Sequence, residues 1–224
     1  MQSEIKYAPS YSLAIVTLSA GEAIQAEAGS MVSMSPGIEL ETKAKGGLLG
    51  GLKRSVLGGE SFFLNTFTAP SGGQITMAPS LPGDIQHMQM AGQTMFIQSG
   101  SYMASAPNIE IDTKWGGAKT FFSSEGLFLL KASGTGDLFV SSYGAIHEID
   151  LGPGEHHTMD TGHMVAFTDG VGYEVKKVGG WKSTLLSGEG LVVDLTGPGK
   201  VYMQTRSPSG FLAWLIPQLP KSNG

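Results

Sequence analysis

The chain has 224 residues, and 14 Lys and Arg against 19 Asp and Glu leave a formal charge of −5. That balance disfavours broad nucleic-acid binding, which needs a basic face against phosphate. Hydrophobic residues make up 41%, enough for a core without staples, and the absence of cysteine excludes disulfides, thiolate nucleophiles and Cys-based zinc sites.

The first residues, MQSEIKYAPS, lack the apolar run of a secretory signal. No later run approaches the ~18 apolar residues of a membrane helix. The 33 glycines are spread along the chain and read as turn and bulge positions between many short strands.

In chain order, strands are predicted at 11–18, 23–27, 30–34, 38–43, 60–68 and 74–77. A second set follows at 84–90, 94–98, 101–105, 109–114, 120–131 and 136–142, and a third at 145–151, 155–159, 163–168, 172–178, 183–195 and 199–206. Period-two alternation supports them: Glu39, Glu41, Glu110, Asp112 and Glu174 point one way, Ile38, Leu40, Ile109, Ile111 and Val175 the other.

The three sets share landmarks in one order. Gly21, Gly92 and Gly154 each close a predicted turn, in LSAGE, MAGQ and LGPGE, and Gly29, Gly100 and Gly162 follow each after eight residues. Next come SMVSM (30–34), SYMAS (101–105) and HMVAF (163–167). Then come IELETKAKGG (38–47), IEIDTKWGG (109–117) and YEVKKVGG (173–180), and last the Glu-led strands after Glu60, Glu125 and Glu189. A fixed order at a constant interval marks a unit used three times. The expected division is 1–83, 84–144 and 145–208, with 209–224 as a separate apolar tail.

Two stretches break the pattern. Within the Gly-rich insert 46–59, Leu48, Leu49, Leu52, Val56 and Leu57 recur at helical spacing, with Lys53 and Arg54 on the other face. Only the first set carries it. In the tail, Phe211, Leu212, Trp214, Leu215 and Ile216 form an apolar patch ended by Pro217 and Pro220, with helix expected at 210–216. Leu48, Leu49, Leu52, Lys53, Arg54, Phe211, Trp214 and Leu215 are the candidate interaction residues.

Catalytic and metal chemistry find little support. His156 and His157 are adjacent on a predicted strand and point to opposite faces, so they do not easily share an ion with His163. The pairs Glu39/Glu41 and Glu110/Asp112 lie on one face of one strand, whereas hydrolytic carboxylates flank a bond from separate elements. No G-x-S-x-G elbow occurs. The run Gly46–Gly51 is followed by Leu52, where a phosphate-binding loop has Lys. No catalytic residue, metal ligand set or cofactor is assigned, and the chain is expected not to be an enzyme.

With GGESFFLNTFTA (58–69), G-x-I-T-M-A-P-S-L-P-G-D-I (73–85) and the Gly-rich insert in view, the chain resembles bacterial relatives of the mitochondrial biogenesis proteins named for altered inheritance of mitochondria. The resemblance covers about 3–216 and is most specific over 46–70 and 75–85. It implies an all-β fold of three pseudo-threefold-related subdomains, sandwich-like or double-stranded β-helix-like, as in the tryptophan RNA-binding attenuation protein. It also implies a homotrimer and no enzyme activity. The chain shows no mitochondrial presequence, so the bacterial, cytoplasmic reading is the one expected. The functional expectation is a non-catalytic oligomeric scaffold with a protein partner, in peripheral contact with a membrane through the insert or the tail. The alternative is a module that binds a small ligand or nucleic acid in clefts between subdomains.

Overall fold

The computed structural model describes residues 1–43, 63–113, 128–177 and 191–220. These form seventeen strands, and among the described residues the only α-helix is α1 (Pro208–Leu215). The all-β architecture expected from the alternation is therefore the one adopted.

Six strands in 13–77 form two ladders. β2 (Leu13–Leu18) pairs with β7 (Gly73–Met77), which pairs with β4 (Met31–Met34). β3 (Glu22–Glu27) pairs with β6 (Leu64–Ala69), which pairs with β5 (Glu39–Lys43). The same scheme serves 146–204. β12 (Ile146–Leu151) pairs with β17 (Gly199–Gln204), and β17 with β14 (Met164–Thr168). β13 (His156–Asp160) pairs with β16 (Leu191–Thr196), and β16 with β15 (Gly172–Lys177).

The middle stretch reaches that arrangement differently from the expectation. A turn is expected at MAGQ, but β8 (Ile85–Gln98) runs through it, as β11 (Leu129–Ser141) runs through SGTGD (133–137), and the two are long strands paired with each other. β9 (Tyr102–Ser105) pairs with one end of β11 and β10 (Ile109–Asp112) with the other. The turn residues instead absorb an irregularity, a register shift between Ser133 and Thr135. Gly134 has φ +132, and a Cβ there would collide with the Asn108 carbonyl, so the bulge requires glycine.

Two further differences stand out. Residues 2–6, given no strand by the alternation, form β1 (Gln2–Lys6), which adds to the edge of β2. Leu40, expected to point inward, is exposed on edge strand β5, whereas Ile109 and Ile111 on β10 are buried as expected.

Sheets join across the stretches. β9 pairs with β3, and β14 pairs with β8, so a single 10-stranded sheet runs from β12 to β5. The cores follow the joints. The core under β2, β3 and β7 contains Met103, Ala104 and Phe139 from the middle stretch, and that under β13 to β17 contains Leu129. Phe96 and Phe167 stack at 5.2 Å over the β8–β14 joint.

Candidate functional site

Ser207 caps α1: its Oγ accepts from the Gly210 N–H at 3.0 Å, and Pro208 opens the first turn with φ preset for helix. A 3-10 turn, Ile216–Gln218, follows. Phe211 anchors the helix, edge-on to Tyr143 at 6.0 Å and tilted against Trp214 at 6.2 Å. Phe211 and Leu215 are half-buried, and no residue of the helix is buried. Leu212 and Leu219 are exposed, and Trp214 and Ile216 keep 64% and 61% of their surface in solvent. Of the tail residues singled out from sequence, Phe211 and Leu215 thus face the body and Trp214 faces out. Leu48, Leu49, Leu52, Lys53 and Arg54 lie outside the described residues.

Beneath α1 lies an open cavity of about 860 Å³, to which all three stretches contribute. Glu27 and Ser30 come from the first, Gln98, Ser141 and Ser142 from the second, and Gly162 and Gln204 from the third. Leu212, Ala213 and Ile216 of the tail cover it.

Its two glutamines differ. Gln204 is partnered at both ends: Nε2 donates to the Gly162 carbonyl at 2.8 Å and Oε1 accepts from the Tyr143 N–H at 2.8 Å. Gln98 is equally buried and accepts from the Ser101 hydroxyl at 3.4 Å, but its Nε2 has no hydrogen-bond partner among the described residues. A buried amide donor without an acceptor costs about 1–3 kcal/mol. Sequence reasoning offered clefts between subdomains but not Gln98, because nothing local in a strand-end glutamine says that three stretches of the chain converge on it.

A second polar cluster ties β1 to the β8–β11 ribbon. His87 Nε2 lies 2.7 Å from Asp137 Oδ1, its Nδ1 lies 3.3 Å from Ser3 Oγ, and its ring stacks on Phe139 at 4.7 Å. The order hydroxyl, imidazole, carboxylate is that of an activated serine. Ser3, however, sits in mid-strand opposite Val16, not on the sharp turn that presents a nucleophile. The cluster is a clasp between strands.

His156 is exposed and 3.1 Å from the Thr196 hydroxyl, and among the described residues no three His, Asp or Glu converge as a metal site would require. The surface charges pair locally. Lys176 bridges Asp194 at 2.7 Å and Glu174 at 3.1 Å, and Lys200 bridges Glu148 and Asp150. The hydrogen bond from Lys176, then that from Thr158, hold the Asp194 carboxyl below its usual range. No described helix is long and apolar enough to cross a membrane.

Joined antiparallel sheets beside an open cavity, with an apolar helix held outside the cores, define an all-β protein built on packed ladders. The chain belongs to the mitochondrial biogenesis AIM24 family, whose model matches residues 3–206. It is similar to an uncharacterised protein of Streptococcus pyogenes serotype M6, with 27% identity over 100% of this chain and 93% of that protein. It is also similar to a Streptococcus pyogenes protein solved by crystallography in a structural genomics programme, at a TM-score of 0.80 and 27% identity over 97% of this chain and 99% of that one.

Proposed function

We propose that this protein is a non-catalytic scaffold of the bacterial cytoplasm that assembles as a homotrimer and docks through apolar segments held outside its cores. The stretches 1–83, 84–144 and 145–208 are read as three units about a pseudo-threefold, with 209–224 as an arm. The recurrence of one ladder scheme supports that reading.

The observation that carries the docking role is the outer face of α1. A helix of a lone globular chain turns its apolar residues inward, whereas here Trp214 of α1 is 64% exposed. A Trp beside aliphatic residues at a surface suits a protein groove or the headgroup region of a membrane. The sequence of the insert, with Leu48, Leu49 and Leu52 beside Lys53 and Arg54, supplies a second docking segment of the same chemistry. Three weak arms on one trimer would reinforce one another through effective concentration.

The test compares the full chain with Leu212→Glu/Trp214→Glu and with Leu49→Glu/Leu52→Glu, by sedimentation with lipid vesicles and by co-purification from the native host. Docking through the arm predicts a folded trimer that loses vesicles or partners, with binding in the parent that persists in high salt. Unchanged binding in both variants sinks the reading. Steep loss of binding with salt would point to nucleic acid instead.

A second reading, a small-ligand site in this cavity, is favoured by the polar side chains that line it from all three stretches, Ser30, Gln98, Ser142 and Gln204 among them. It predicts a ligand with a hydrogen-bond acceptor whose affinity falls on Gln98→Leu in calorimetry.

A further inference from the structure

We infer that copies of this chain join head to tail by strand addition, β4 of one copy against β13 of the next, with Ser33 opposite Met159 and Met34 opposite Thr158. This deepens the oligomer reading above, rests on it for the number of copies, and sets the three units of each chain along one ring of copies in place of a closed threefold within the chain.

The argument begins with the two joints inside the chain. At one, Ala104 lies opposite Ala26 and Ser105 opposite Gln25. At the other, Ala166 lies opposite Ile97 and Phe167 opposite Phe96. Counted from Gly29, Gly100 and Gly162, these joints have one register. The residue four after its glycine faces the residue three before the preceding one, and the residue five after faces the residue four before. Applied once more, the rule sets Ser33 and Met34 of β4 against Met159 and Thr158 of β13.

Both strands have that edge open. Among the described strands β4 pairs with β7 alone and β13 with β16 alone. β4 is also shaped like the strands that do join. Its ladder shifts register around Val32, as the ladder of β9 shifts around Met103 and that of β14 around Val165. Burial shows what is missing. Tyr102–Ser105 of β9 and Met164–Phe167 of β14 are all buried, whereas Met31–Met34 are all exposed, Val32 by 59%. An uncharged apolar edge left open is the feature natural sheets guard against. A strand from another copy would cover it as β3 covers β9. The contact is heterologous, so each joint leaves one β4 and one β13 open until a ring closes.

The chain has no cysteine, so engineered thiols report only the designed contact. Chains carrying Met34→Cys alone and Thr158→Cys alone are mixed and oxidised, likewise Ser33→Cys with Met159→Cys, and mass is read by light scattering before oxidation. The expected result is a disulfide-linked dimer in at least one of these mixtures. The out-of-register mixture of Met34→Cys with Met159→Cys should link about tenfold less, because a one-residue slip turns side chains to the other face. Val32→Lys, at an exposed position with no folding cost, should reduce the mass to that of a 23.4 kDa monomer. A trimer that links in neither in-register mixture overturns the edge pairing and leaves the oligomer reading standing. A parent protein of monomer mass overturns both. A disulfide within one chain of the Met34→Cys/Thr158→Cys double variant shows that the chain closes on itself and overturns the pairing between copies.

Discussion

β4 and β9 are nearly the same strand in different surroundings. Their sequences, MVSM and YMAS, carry a polar residue among apolar ones, pair on one side with the last strand of their own stretch, and bulge at the second residue. β9 also has β3 along its other edge and is buried throughout, whereas β4 has no second neighbour and is exposed throughout. The difference teaches that burial here is a property of edge coverage rather than of the strand. The same apolar side chains are core where a neighbouring ladder arrives and surface where none does.

The sharpest way to break the comparison is to place a charge at equivalent positions. Ala104→Asp puts an unpaired carboxylate into a fully buried joint and should prevent folding, since burying such a charge costs several kcal/mol against a total stability of about 5–15. Ser33→Asp at the matching place on β4 should fold with the circular dichroism of the parent. If both variants unfold, the two edges are not in different environments.

A smaller effect comes from truncation. Phe167→Ala removes a fully buried ring that also contacts Phe96 and Tyr173, and should cost about 3–5 kcal/mol in denaturant melts. Met34→Ala should leave the stability of the folded chain within about 0.5 kcal/mol and change only assembly. Equal losses would erase the distinction.

Tyr102 sharpens it through pH. Its phenol is buried and 2.9 Å from the Ser105 hydroxyl, and burial raises its pKa well above the ordinary 10.0. The folded state therefore holds this proton more tightly than the unfolded one. The stability is fully present below pH 10.0 and is lost as pH climbs through the alkaline range above it. Tyr102→Phe should cost about 0.5–1.5 kcal/mol at neutral pH, from the lost hydrogen bond, and should flatten the alkaline fall measured by urea titration. Met31, the matching residue of β4, has no such titration.

The smallest expected change is at the arm. Trp214→Ala at a 64% exposed position should shift stability by no more than about 0.5 kcal/mol while weakening any vesicle or partner contact. A large loss of stability would mean that α1 is structural.

Some of this was legible in the residues. Alternation located β2, β3, β12 and β17 closely, and the apolar run ended by Pro217 marked the tail helix. Other parts were not. Residues 2–6 lack a strong pattern because β1 is an edge strand with one partner. The glycines of MAGQ and SGTGD look alike in turns and in bulges, since both need positive φ, as at Gly92 and Gly134. The cavity and the Ser3–His87–Asp137 clasp join residues far apart in the chain, which no local signal announces.

By itself the sequence determined what is local: the period-two strands, the glycine landmarks at a constant interval, and an apolar tail following Pro208. The tertiary structure decided what is not: that β8 and β11 run on as one ribbon, that β9 and β14 are covered while β4 and β13 stay open, and that Gln98 lines a cavity fed by three stretches. The physical reason is that a strand's pattern depends on its own residues. Its burial depends on which other ladder meets its edge, and that partner lies many residues away.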